Sequence, residues 1–207
     1  MSRELAITHG FTEAERKDVA ALYDAAFGSK IGIAIPDESK RLMLLAQAFD
    51  PSHCFVARHV GDVVGIAGFK TENGALTSAI SFKLLHKWLG LLGAVRAAVV
   101  LTLFERKQRP GELLMDGISV APSARGCGIG GMLIEHLKQF STEAGYRSIR
   151  LDVIDTNDAA RRLYERLGFV ATRTSRFAYL RWLLGFSAAT TMLYRHDHLG
   201  PESLPAN

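Results

Sequence analysis

Two cysteines in 207 residues, Cys54 and Cys127, are too few for a disulfide framework or a four-cysteine zinc site. Six prolines and no Gly/Ser-rich tract leave no linker, and no segment repeats. Residues 1–207 therefore read as a single domain, with a core over about 3–195 and a polar tail over 196–207. Residues 1–10 lack the apolar core of a secretory signal, so the expected compartment is the cytoplasm. Charge of either sign is modest: 25 Lys+Arg against 21 Asp+Glu leaves +4. That balance favours an anionic ligand and falls short of a nucleic-acid binder. His196, Asp197 and His198 are metal-ligating types, but the tail offers no third and fourth ligand, so no metal is expected.

What is present is a mixed pattern of periods. Thr12-Glu13-Ala14-Glu15 has the form of a capping box, and Val19, Leu22, Tyr23, Ala26 and Phe27 follow at helical spacing until Gly28. Gly28 to Pro36 is predicted as a loop and Ser39 to Phe49 as a helix. His53–His59 and Val63–Phe69 are β-rich runs around Gly61-Asp62, a hairpin signal. Strands are predicted at Glu112–Val120 and Ser148–Ile154, helices at Gly128–Gly145 and Asn157–Leu167, and two strands after Phe169. The order α-α-β-β-β-α-β-α-β-β predicts an α/β or α+β layer fold.

Residues 76–109 do not fit that scheme. Leu76 to Arg106 is mostly apolar, and Trp88 to Phe104 carries only Arg96 as a charge. A membrane span needs about 20 apolar residues, so membrane contact through 84–104 has to be weighed. An arginine near the middle would cost about 2.5–3.5 kcal/mol on insertion. Evenly apolar helices of this kind are expected to bury themselves against the domain or a second subunit, which would make a homodimer.

The chemistry concentrates in Ile118-Ser-Val-Ala-Pro-Ser-Ala-Arg125-Gly-Cys-Gly128-Ile-Gly130-Gly131, which leads into a helix. Glycines let the backbone turn tightly and admit a ligand, the first helical amides lack partners, and the helix dipole and Arg125 add positive charge. This is a candidate diphosphate site. Gly126, Gly128 and Gly131 also satisfy G-x-G-x-x-G, the mark of a dinucleotide-dependent oxidoreductase. In that fold the first glycine follows its strand directly, whereas Ala121 to Arg125 intervene here. The acidic candidate, Asp152, lies inside a predicted strand, and only about 75 residues follow Gly131, few for a second mononucleotide half.

One helix and one strand later comes Asn157-Asp-Ala-Ala160-Arg-Arg-Leu163-Tyr164-Glu-Arg-Leu167-Gly168-Phe169. Together the two motifs resemble the GNAT superfamily of acetyl-CoA-dependent N-acetyltransferases. The resemblance implies a mixed sheet of about six to seven strands flanked by helices, with 76–109 as a helical insertion between the third and fourth strands. It implies acetyl-CoA as co-substrate and a primary amine as acceptor, the acetyl group passing by direct attack in a ternary complex. The cofactor's pantetheine would lie between the strands at 112–120 and 148–154, on main-chain groups of Ile118, Ser119 and Val120. Arg125, Gly126, Cys127, Gly128, Ile129, Gly130 and Gly131 would hold its diphosphate, and Asn157 its arm. Tyr164, seven residues after Asn157 and so on the same helix face, would protonate the departing thiolate. Asp116, two before Ile118 and read as sharing its face, would be the base, with Glu112 second. A non-catalytic acyl-CoA sensor of the same fold is the alternative. Arg173, Arg176 and Arg181 read as a solvated face that could also meet the cofactor's 3′-phosphate. Acceptor choice would rest with Gly28–Pro36 and about Phe177–Leu193.

Overall fold

The structure is a computed structural model that describes residues 5–176 and 185–196. After a short 3-10 turn over Glu13–Glu15, helices α1 (Arg16–Ala34) and α2 (Glu38–Ala48) follow strand β1 (Leu5–His9). Next come β2 (Cys54–His59), β3 (Asp62–Thr71), the two-residue β4 (Gly74–Ala75) and α3 (Phe82–Phe104). The chain continues through β5 (Glu112–Val120), α4 (Ile129–Glu143), β6 (Ser148–Ile154), α5 (Asp158–Arg166), β7 (Val170–Arg176) and β8 (Ala188–Arg195). The strands form one sheet in the order β1-β2-β3-β5-β6-β8-β7, with β4 on β3. Among the described residues this makes eight strands where six to seven were expected; the additions are β1, a short edge strand, and the minimal β4. Every pairing is antiparallel except β5 with β6.

Alternation along β2 and β3 builds two cores, because successive side chains point to opposite faces. Phe55, Ala57, Ala67 and Phe69 join Leu133, Ile134 and Leu137 of α4 on one face. Cys54, Val56 and Ile66 join Val19 of α1 and Leu45 of α2 on the other. The β2–β3 turn places both Val60 (φ 53°) and Gly61 (φ 90°) in the left-handed region, as a type I′ hairpin requires.

One expectation fails in this half of the chain. Gly28 does not end the first helix, which runs on to Ala34, so Gly28–Pro36 is not a loop. A Cβ at Gly28 would stand 2.7 Å from the Asp24 carboxylate, which forms a buried bidentate bridge to Arg41 of α2 (2.5 and 2.9 Å). The glycine is therefore spacing for that bridge, and the helix-propensity cost of about 1 kcal/mol is offset by tertiary contacts. Arg41 also donates to the Ile35 carbonyl (2.9 Å) at the end of α1.

The insertion is helical, as expected, but bent at Gly90 (φ 69°, ψ 179°). Phe82–Thr102 is long and apolar enough to cross a membrane by length and composition. One face packs Leu85, Ala94 and Ala97 against Ala34, Ile35 and Leu44. Burial is not even, however: Leu91 (60%), Leu92 (87%), Val95 (47%) and Val99 (61%) face outward. A helix laid on a domain can cover only one stripe, and residues spaced on the opposite side stay exposed. Arg96 donates to the Ala34 carbonyl (3.0 Å), so the lone charge of the apolar run serves the C-terminus of α1.

The tail is not wholly polar surface either. His196 is buried, its ring bonded to Thr142 (2.9 Å) and Ser141 (3.0 Å) of α4, which makes it a packing residue. Asp197, His198, Arg181 and residues 177–184 of the acceptor region lie outside the described residues, and Arg173 and Arg176 are exposed on β7.

Candidate active site

β5 and β6 run side by side only briefly. Glu112–Leu114 pairs with Ser148–Arg150, and beyond that point β6 continues on β8 while β5 continues on β3. The strands part, leaving main-chain groups of β5 without a neighbour. The Ala121 amide donates to Val64 of β3 (2.9 Å). Main-chain groups alternate direction along a strand, so those of Ser119 also turn to β3, whereas those of Ile118 and Val120 face the fork. Ser119 thus offers the fork nothing, and its hydroxyl donates to the Leu22 carbonyl of α1 (2.7 Å). The Val120 carbonyl accepts the Arg125 Nε–H (3.2 Å), so Arg125 folds back over the fork's end.

The glycine-rich turn follows directly. Gly126 and Gly128 both have φ +79°, a conformation in which a Cβ is strained, and Gly128 caps α4. Among the described residues the amides of Gly126, Cys127, Gly128, Ile129, Gly130 and Gly131 donate to no protein acceptor. Six successive open N–H groups at a helix N-terminus make an anion cradle, and nothing lies within 4 Å of a Cβ built at Gly126, Gly128 or Gly131. Gly130 lets the helix approach Leu163, Ile118 and Val120 at ordinary contact distance. Ile129's side chain is in the core, and Cys127's is exposed. These features fit a diphosphate carried on an extended arm.

A cavity of about 1120 Å³ occupies the fork and runs between α1, the β3–β4 hairpin and α3. Asp116, Ile118, Asn157 and Tyr164 line it. Asn157 caps α5 by accepting from the Ala160 amide (3.1 Å), which holds its side chain at the fork's rim. Tyr164 is buried, its ring beside Phe169 (5.9 Å), and its hydroxyl makes no hydrogen bond among the described residues. Burial pushes its pKa up to about 12, with the Arg106 charge pulling the other way, so the phenol keeps its proton. A second cavity, of about 470 Å³ between β6, α5 and β7, touches none of Asp116, Asn157 or Tyr164.

Asp116 lines the cavity for a reason other than the alternation invoked above. Gly68 pairs with Gly117 but Phe69 with Met115, so Asp116 is the extra residue of a β-bulge. Leu113 and Met115 then lie on the same face as Ile118, and Asp116 turns toward α1. Its carboxylate has no hydrogen-bond donor among the described residues. Burial raises its pKa above the ordinary carboxylate value, while Arg106, Lys70 and His53 pull it down. Glu112 is locked in a buried bridge to Arg150 (2.6 Å) where the strands are still paired, away from the fork. It is not available as a base.

Other residues enter the site that sequence reasoning did not find. Arg106, just after α3, donates to Asp152 of β6 (3.2 Å) and to the Asp116 carbonyl of β5 (3.2 Å), tying the two strands across the fork. Asp152 also accepts from Thr191 (2.6 Å); it is part of this tie and not a ribose ligand. The Phe27 ring of α1 packs against Gly117, where a Cβ would come within 2.1 Å of its Cζ. Tyr23, Lys30 and Lys70 complete the wall. The signals available for them were slight: a charge following a long apolar run, and a glycine inside a strand.

A mixed sheet that splits at its one parallel pair, with an amide cradle at the split, defines a class of folds with room for an extended anionic ligand in the gap. Residues 17–169 match the sequence profile of the acetyltransferase (GNAT) family, and the chain belongs to that family. An N-acetyltransferase of Schizosaccharomyces pombe, itself uncharacterized, is 40% identical over 63 residues; the match covers 30% of this chain and 39% of that relative's length. An N-acetyltransferase from Staphylococcus aureus shares the fold with a TM-score of 0.68 at 17% identity, over 91% of this chain and all of that one. A Salmonella typhimurium protein solved with its cofactor acetyl-CoA does so with a TM-score of 0.59 at 16% identity, over 98% of this chain and 100% of that one.

Proposed function

We propose that the protein transfers the acetyl group of acetyl-CoA to a primary amine by direct attack within a ternary complex. The observation that carries this reading is the conjunction of six open amides at 126–131 with a phenol and a carboxylate in one cavity, at the fork they adjoin. The diphosphate rests on those amides, and the main-chain groups of Ile118 and Val120 receive the extended arm as an added strand would be received. Asp116 takes the proton that the amine must lose, directly or through water. The Ile118 amide faces the thioester carbonyl, where negative charge develops. Tyr164, protonated at neutral pH, donates to the sulfur as it leaves. Asn157 steadies the arm at the fork's rim.

The test is a thermal-shift titration with acetyl-CoA and a thiol-release assay across an amine panel. Tyr164→Phe is expected to lower kcat by about 10²-fold or more with acetyl-CoA binding retained. Binding without turnover on any amine, unchanged by Tyr164→Phe, would make the protein a non-catalytic acyl-CoA module. No binding of any acyl-CoA would remove the proposal altogether.

A further inference from the structure

The cavity does not end at the reacting groups. Past Asp116 it continues between α1 and the insertion, and its far walls are Ile31, Ile80, Leu85, Ala98 and Leu101, with no charged side chain among them. These residues belong to the cluster that the insertion forms against α1 and α2. The charged groups of the lining stand elsewhere: Asp116, Asp152, Arg106, Lys30 and Lys70 gather at the fork, Glu72 is exposed on the β3–β4 hairpin, and Glu105, 4.0 Å from Lys70, is exposed just past the end of α3. Burial and the Arg106 charge push the Lys30 pKa below its ordinary value, consistent with a sheltered junction between the two regions. At about 1120 Å³ the whole space exceeds the range of roughly 300–1,000 Å³ that a single small ligand occupies, so it has room for the cofactor's acyl end and a second molecule.

Two kinds of occupant could reach the apolar end: the body of an acceptor, or a long acyl chain extending from the thioester. Both would pass the charged junction. An acyl chain would lay methylene groups against carboxylates and a guanidinium, stripping water from them with no compensating bond. An acceptor would put its amine at Asp116, whose carboxylate has no donor among the described residues while Asp152 is held by Arg106 and Thr191, and its body beyond. Resting on the acetyl-transfer reading, we infer that the acceptor is amphipathic: a primary amine held at Asp116, attached to an apolar body that lies under α3. The insertion is then the specificity element of the enzyme, and small polar amines and polyamines are poor acceptors.

The test is a ladder of linear amines from ethylamine to octylamine, with ethanolamine and putrescine as polar controls and acetyl-CoA as donor. An amidated peptide with leucine at its free N-terminus distinguishes a peptide source of the same chemistry from a free amine. The expected result is a rise in kcat/KM of up to about fourfold per methylene, and at least about 100-fold across the ladder. Ala98→Glu, which places a charge on the far wall away from the reacting groups, is expected to abolish the octylamine advantage and leave ethylamine turnover and acetyl-CoA binding unchanged. The ladder itself needs no variant, so a misfolded Ala98→Glu does not rescue the idea. Equal or faster turnover of ethanolamine or putrescine overturns it, as does transfer from octanoyl-CoA to ethylamine that outruns transfer from acetyl-CoA to octylamine. Calorimetric binding of octylamine against ethylamine in the absence of cofactor reads the chamber directly. If acetyl-CoA fails to bind while octylamine does, the transfer reading falls and the chamber stands; if acetyl-CoA binds and no apolar amine is bound or acetylated, the reverse holds.

Discussion

Replacing Asp116 by asparagine should move activity and stability in opposite directions. The side chain keeps its shape, but a proton acceptor is lost from the fork. General-base assistance is worth about 10²–10⁴-fold, so kcat/KM is expected to fall by that factor. The acid limb of the wild-type pH profile should lie above the usual carboxylate range, because burial raises the Asp116 pKa. In the variant that limb should disappear. A group whose folded pKa exceeds its unfolded one supports the fold at low pH and loses that support as pH rises through the folded value. At neutral pH the ionised carboxylate, with no hydrogen-bond donor among the described residues, therefore weakens the fold, and asparagine relieves it. Thermal melts should show Asp116→Asn above wild type at pH 7 and equal to it near pH 3. In a chain of this size each 1 kcal/mol corresponds to about 2–4 °C. A variant that melts lower at pH 7, or that keeps a rate within about threefold of wild type, would show that Asp116 is a structural ion-pair partner and not the base.

Gly117→Ala sets a methyl against the Phe27 ring, 2.1 Å from its nearest carbon, and should cost about 1–3 kcal/mol in denaturant melts; Phe27→Leu in the same chain should recover at least half of that. Gly128→Ala must hold φ +79° with a Cβ, so a loss of about 1 kcal/mol is expected, together with weaker acetyl-CoA binding by calorimetry. Gly131→Ala, helical and with open space at its Cβ, should leave stability equal or higher. The bond from Arg58 holds Glu15 down to a pKa of about 2, with the Thr12 amide adding to it. Its support for the fold is then complete above about pH 4.5 and lost as pH falls toward 2, an acid-side loss of about 1–3 kcal/mol that Glu15→Gln should flatten.

Much of the site's frame was legible in the chain because it depends on short-range rules. The glycines at 126 and 128 and the cap at Asn157 act over a turn or less, and the spacing from Asn157 to Tyr164 over about two turns of one helix. β5 and β6 were read with the ends they have, since their apolar runs stop at clear turn residues. β1 escaped because a half-polar edge strand of five residues shows itself only when paired with β2. The α1 boundary failed because Gly28 answers to the Asp24–Arg41 bridge, a contact with another helix.

What the sequence alone determined is the cradle and the order of elements around it, since backbone conformation at a glycine and a helix cap are decided by neighbours in the chain. The tertiary structure decided which side chains meet at the fork. A bulge opposite Gly68 turns Asp116 toward α1, and the fold carries Arg106 across from the insertion to tie β5 to β6. The bulge is a mismatch of register between two strands, and the tie spans 46 residues of chain. Neither is a property of any local window, so only packing could settle them.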